Sequence, residues 1–132
     1  MWKWRDNSVC RHDDKYILKT YNNMLDSSDA LVQELLDRKC KMDAEAYAVY
    51  MIYDAYFTMN KDEWLNQENK EYRDMVEKRF KEYWKKYKYL HDNISAEEKN
   101  NIIMALKNRM FTEGVILETI TFNEWITQIE NL

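Results

Sequence analysis

Residues 43–59 read DAEAYAVYMIYDAYFTM, and this stretch decides the fold class. Between Ala46 and Met59 a single residue, Asp54, carries a charge at neutral pH. A helix with almost no polar face belongs at the centre of its domain, enclosed by other helices. Tyr47, Tyr50, Tyr53 and Tyr56 recur at every third residue. At roughly 100° per residue such a row turns by about 60° at each step, so it winds around the helix instead of lining one side. The row therefore predicts tyrosines that reach several neighbouring helices, each buried hydroxyl needing a partner. Tyr50, Ile52 and Tyr53 are expected to be largely buried.

Outward from this centre, the pattern is helical on both sides. Residues 62–92 contain neither glycine nor proline. Tyr72, Val76, Phe80, Tyr83, Tyr87 and Leu90 form an apolar stripe at helical spacing. The opposite side carries Lys78, Lys81, Lys85 and Lys88, with Glu71, Asp74 and Glu82 among them. An unbroken helix of that length would extend about 46 Å, against a radius of gyration of about 14 Å for a compact chain of this size. It must break, near Asn66–Asn69, or project, or pack in a homo-oligomer. Toward the N-terminus, Ile17, Tyr21 and Met24 share a face within residues 13–25. Asp26-Ser27-Ser28-Asp29 offers N-caps for a separate helix that carries Leu31, Val32, Leu35 and Leu36 and ends near Cys40. Asp43 caps the central helix.

Toward the C-terminus, Ser95-Ala96-Glu97-Glu98 is a capping box ahead of Ile102, Ile103, Leu106 and Met110. Gly114 suits the left-handed residue just beyond a helix end. The segment 115–122 is rich in β-branched residues and reads as extended or helical. A lone strand has nothing to pair with in a helical domain, so a short final helix is favoured, with Thr121-Phe122-Asn123-Glu124 as its capping box. The expectation is one all-α domain over residues 1–132: a compact bundle of about five to six helices with one long basic helix, roughly 62–92. The absence of proline and the single glycine agree, since sandwiches and barrels need many turn residues.

The two cysteines, Cys10 and Cys40, make no disulfide framework, and the segment Met1-Trp2-Lys3-Trp4-Arg5 lacks a signal peptide's apolar run. No stretch is long and apolar enough to span a bilayer. The expectation is a soluble intracellular protein, cytoplasmic or acting inside a host cell, with no membrane partner. The net charge of −4 is unevenly spread: residues 69–91 hold 8 basic and 4 acidic residues, between flanks that are each net −4. Abundant Lys, Asn, Ile and Tyr suggest an AT-rich source, such as a low-GC bacterium, its phage or plasmid, or an AT-rich eukaryote or virus.

Chemistry leaves few marks. Cys10, His12, Cys40 and His91 are the only cysteines and histidines, and no two have the close spacing of zinc ligands. His12-Asp13 and His91-Asp92 resemble the pair of metal-dependent phosphohydrolases, but the later aspartate those enzymes need does not follow Asp92. Neither histidine has a glutamate three residues before it, as di-iron bundles require. Phosphate-binding loops are excluded by the glycine count. No cofactor, metal or catalytic residue is expected.

Asp54 is the carboxylate most worth following. Burial would raise its pKa, as a general acid or base needs. The bland alternative is an aspartate bonded to tyrosine hydroxyls or lying on a narrow exposed edge. On the surface, Lys78, Lys81, Trp84, Lys85, Lys88 and Tyr89 form the candidate partner-binding set, with Trp84 and Tyr89 read as exposed rings beside the lysines. Trp2 and Trp4 are expected to tuck the N-terminal arm onto the core. The functional expectation is a non-enzymatic protein-interaction protein: an adaptor, inhibitor or accessory factor, acting on a host or defence protein if its source is a phage or mobile element. The alternative is a nucleic-acid-binding accessory protein using the basic helix 70–91, and a third reading is a small enzyme centred on Asp54.

Overall fold

The computed structural model describes residues 14–61, 70–114 and 118–132. The expectations for Trp2, Trp4, Cys10, His12, the break near Asn66–Asn69 and residues 115–117 fall outside these, as does the side chain of Ile17. Helix accounts for 90% of the described residues, in five helices with no strand. They are α1 (Asp14–Asp37), α2 (Lys41–Lys61), α3 (Lys70–Asn93), α4 (Ala96–Thr112) and α5 (Thr119–Glu130). Among the described residues no helix is long and apolar enough to cross a membrane.

The nearly unionised helix is central. α2 packs against each of the other four helices, and α1 packs also against α3. Ala44, Ala48, Val49, Ile52, Tyr53, Ala55 and Phe57 of α2 are all fully buried. The tyrosine row winds as its period requires. Tyr50 receives a hydrogen bond from Arg109 of α4 at 2.6 Å, Tyr53 meets His91 of α3 at 3.3 Å, and Tyr56 donates to Gln128 of α5 at 2.6 Å. Tyr56 also packs its ring on Phe80, 5.4 Å between centroids. Tyr50 is less buried than expected, lying half-exposed where α2 meets α4. That position lets its hydroxyl meet a guanidinium instead of a core acceptor.

α1 corrects the sequence reading. Residues 26–29 do not start a new helix, since α1 runs unbroken through them. Tyr21, Leu25, Ser28 and Val32 fall at 4-3-4 spacing, and all four are buried. Ser28 thus occupies a core position, and its hydroxyl lies 2.6 Å from that of Tyr83. Asp26 and Asp29, read as caps, instead bond Arg79 at 2.8 Å and Lys86 at 2.9 Å across to α3. The end of α1 needs no glycine: Lys39 takes φ 62°, and the amides of Lys39 and Cys40 return to Leu36 and Leu35 in a Schellman turn.

α3 buries Val76, Phe80, Tyr83, Tyr87 and Leu90, as the stripe requires, while Tyr72 is half-buried. Trp84 and His91 are buried as well, which widens the stripe. At ~1.5 Å per residue α3 extends about 36 Å. α4 starts where the capping box places it: Ser95 Oγ accepts from the Glu98 amide at 3.1 Å. Ser95→Ala is expected to destabilise the protein by about 0.5–2 kcal/mol, read as a shift in the urea midpoint at unchanged slope; an unmoved midpoint would place the helix start elsewhere. Gly114 has φ +73° just past α4. The last helix begins at Thr119, with Glu118 extended at its cap and no side-chain cap bond. The box at Thr121 is therefore not used, and residues 119–122 are helical, not extended.

Candidate functional site

The lysines stand where the stripe puts them. Lys78, Lys81, Lys85 and Lys88 are all exposed on the side of α3 that faces away from the core. Lys88 bonds Asp92 at 2.9 Å, one turn on, and its ammonium lies 5.8 Å from the centre of the Trp84 ring. Among the described residues Lys78, Lys81 and Lys85 form no ion pair. Asp74, Glu77 and Glu82 interleave with them, and the six side chains line a shallow groove along the helix. Tyr89 is 50% exposed and Met75 42% exposed on the same helix.

Trp84 departs from the sequence reading. It is only 9% exposed, edge-on to His91 at 5.2 Å between centroids. Residues 83, 84, 87, 90 and 91 form one continuous buried face. The ring supports the core and does not lie open to a partner. Sequence spacing alone placed it at the margin of the stripe, and only the packing of neighbouring helices decides on which side of that margin it falls.

Asp54 is half-buried. Its Oδ1 accepts from Arg109 Nη2 at 2.5 Å, and the same guanidinium bonds Tyr50. Burial pulls the guanidinium pKa down, but the hydrogen bond and charge of Asp54, with Tyr50 and Glu113, outweigh it and hold Arg109 protonated. No local sequence pattern marks this partner, which lies 55 residues away. The arrangement ties α4 to α2.

A second polar set joins α1 to α3. Tyr87 donates to Asp29, Gln33 donates to Tyr87 at 3.0 Å, and Lys86 also bonds Asp29. Burial alone would raise the Asp29 pKa, but the hydrogen bonds from Tyr87 and Lys86 and the charges of Lys86 and Arg79 hold it below the usual carboxylate value. Burial pushes the Tyr83 phenol up to about 12. These groups fasten one helix to another, and each is engaged within the fold.

His91 is the buried titratable group at the end of α3. Its Nε2 lies 3.3 Å from the Tyr53 hydroxyl and its Nδ1 3.2 Å from Asp92 Oδ1. Burial lowers its pKa, with Lys99 acting in the same sense, against the opposing influence of Asp92 and Glu130. The neutral ring is therefore the folded form. Stability from this group is present above the unfolded pKa of about 6.5 and declines as the pH falls below it, toward the lower folded value. Urea denaturation at about pH 7.5 and about pH 5 should show a loss that is smaller in His91→Gln; an equal loss in both proteins would mean that His91 does not contribute.

Among the described residues no group of three His, Cys, Asp or Glu side chains could hold a metal ion. Cys40 is a free, half-buried thiol in the turn between α1 and α2. Comparison with protein-family models, with curated proteins and with solved structures gives no match.

Proposed function

We propose that the chain is a non-enzymatic protein-interaction protein, an adaptor, inhibitor or accessory factor, that engages another protein through the outer face of α3. One observation carries this reading: Lys78, Lys81 and Lys85 stand exposed beside a half-exposed Tyr89 on a chain whose net charge is −4. A solvent-facing aromatic beside basic side chains suits a protein interface, where aromatics anchor and charges orient. The capture of Asp54 by Arg109 weighs for the same reading, because it gives that carboxylate a structural part in tying α4 to α2. Nucleic acid is less well served. With Trp84 buried, the basic face offers one exposed ring, whereas single strands stack successive bases on several. The acidic remainder of the chain repels phosphate at long range.

The test is capture from a lysate of the source organism on the immobilised full chain, with the Lys81→Glu/Lys85→Glu variant alongside. A protein retained by the native chain and reduced about tenfold or more by the variant supports the reading. No measurable binding to duplex DNA is expected at physiological salt. Tight DNA binding with a steep salt dependence, flattened by removal of the four lysines, would favour the nucleic-acid alternative. Tyr89→Ala is the aromatic probe of choice, since truncation of the buried Trp84 would disturb the core.

A further inference from the structure

We infer that His91 is a proton-sensitive latch: when its ring takes up a proton, the end of the bundle where α3 turns into α4 opens locally, while the body formed by α1, α2 and the rest of α3 stays closed. The hydrogen bonds fix where the ring carries its proton. Lys88 and His91 hold the Asp92 carboxyl ionised, below its usual value, so His91 Nδ1 must be the donor across the 3.2 Å to Asp92. Nε2 is then the bare nitrogen, and it accepts from the Tyr53 hydroxyl, which burial keeps protonated. Tyr53 is fully buried, and among the described residues its hydroxyl meets no other group.

A second proton has to go on Nε2. It then points at the Tyr53 hydroxyl, whose own hydrogen must turn away toward no acceptor. The charge is also poorly met. The rings of Tyr53 and Trp84 stand edge-on to the imidazole at 6.0 and 5.2 Å between centroids, and His91 is 6% exposed. Of the charged groups around it, Asp92 on its own helix and Glu130 on α5 favour the proton, while Lys99 on α4 opposes it. Asp92 is already shared with Lys88 at 2.9 Å. Opening admits water, in which an imidazole takes its proton at about pH 6.5. Opening is therefore favoured as the pH falls below that value.

Location decides what opens. α1, α2 and α3 pack on one another, whereas α4 and α5 each pack extensively only on α2. The body is fastened by Tyr21 on the Ala55 carbonyl, Ser28 on Tyr83 and Arg79 on Asp26. Histidine is the side chain that ordinarily changes charge between about pH 5 and 8, and His91 is the one histidine among the described residues. The side-chain bonds that hold α4 to α2 come from Arg109, in its last turns. Its first turns carry, among the described residues, only the internal cap from Ser95. Residues 88–99 thus adjoin the proton site, and their polar tie to another helix is the His91–Tyr53 bond itself.

The experiment measures amide hydrogen exchange of the full chain at about pH 7.5 and about pH 5, as protection corrected for the intrinsic rates. Protection across residues 88–99 should fall several-fold in acid, while that of residues 21–32 in α1 stays within about twofold. In His91→Gln the local loss should vanish. Two further variants at less buried positions carry opposite signs. Asp92→Asn removes a charge that favours the proton and should enlarge the loss; Lys99→Gln removes the opposing cation and should shrink it. General damage to the fold cannot produce both, so this pair decides the matter even if His91→Gln folds poorly. An equal loss in every helix would show that protonation lowers only global stability and would end the latch. Unchanged protection at residues 88–99, or a local loss that persists in a folded His91→Gln, would do the same. So would equal losses in Asp92→Asn, Lys99→Gln and the native chain.

Discussion

Tyr53→Ala is expected to lower folding stability by about 3–5 kcal/mol, the range for truncation of a buried aromatic. The side chain is fully buried and, with those of Tyr83 and Tyr87, is among the largest in the core. Its ring stands edge-on to His91 at 6.0 Å between centroids, and its hydroxyl meets the His91 ring. Alanine removes apolar contact with α3, opens a cavity at the crossing of α2 and α3, and deprives a buried imidazole of a partner. Tyr53→Phe separates these effects, because it keeps the ring and removes only the hydroxyl. It should cost about 0.5–1.5 kcal/mol, the net worth of an ordinary hydrogen bond. Urea denaturation of both variants at about pH 7.5, where His91 is neutral, gives the comparison. An alanine variant that loses less than about 1 kcal/mol would mean that α2 lies at the surface, against the packing described here.

Phe57→Ala should be of comparable size, about 3–5 kcal/mol, but with a local signature. Phe57 is fully buried and meets the rings of Phe122 and Trp125 edge-on, at 5.3 and 5.1 Å between centroids. Both partners lie on α5, which contacts no other helix as extensively as it does α2. A hydrogen bond from Tyr56 to Gln128 also joins α2 to α5, and Ile126 and Ile129 of α5 are buried in the same core. Truncating Phe57 therefore removes the ring on which Phe122 and Trp125 of the last helix pack. Amide hydrogen exchange should accelerate across Thr119–Glu130 more than in α2 and α3. Unchanged protection in α5, with a global loss below about 1 kcal/mol, would show that α5 is held by something other than this aromatic cluster.

The sequence by itself determined the helical class, the central place of residues 43–59, the buried stripe of α3 and the start of α4. Each of these depends on local periodicity or on a cap within one turn, and both are properties of neighbouring residues along the chain. The tyrosine row was legible for the same reason, since a three-residue period on a 3.6-residue helix must wind. Tertiary structure decided what spacing cannot express. Ser28 reads as a helix cap because serine suits one, yet it fills a core slot in α1, where Tyr83 supplies the partner its hydroxyl needs. Asp54 finds its cation in Arg109, and Asp26 and Asp29 find theirs in Arg79 and Lys86, all more than 50 residues away. Trp84 lies at the edge of the apolar stripe, and the neighbouring helices bury it while leaving Tyr89 half-exposed. Polar pairing and the width of a buried face depend on which helix lies opposite, and that is set by the packing of the whole chain, not by the residues on either side.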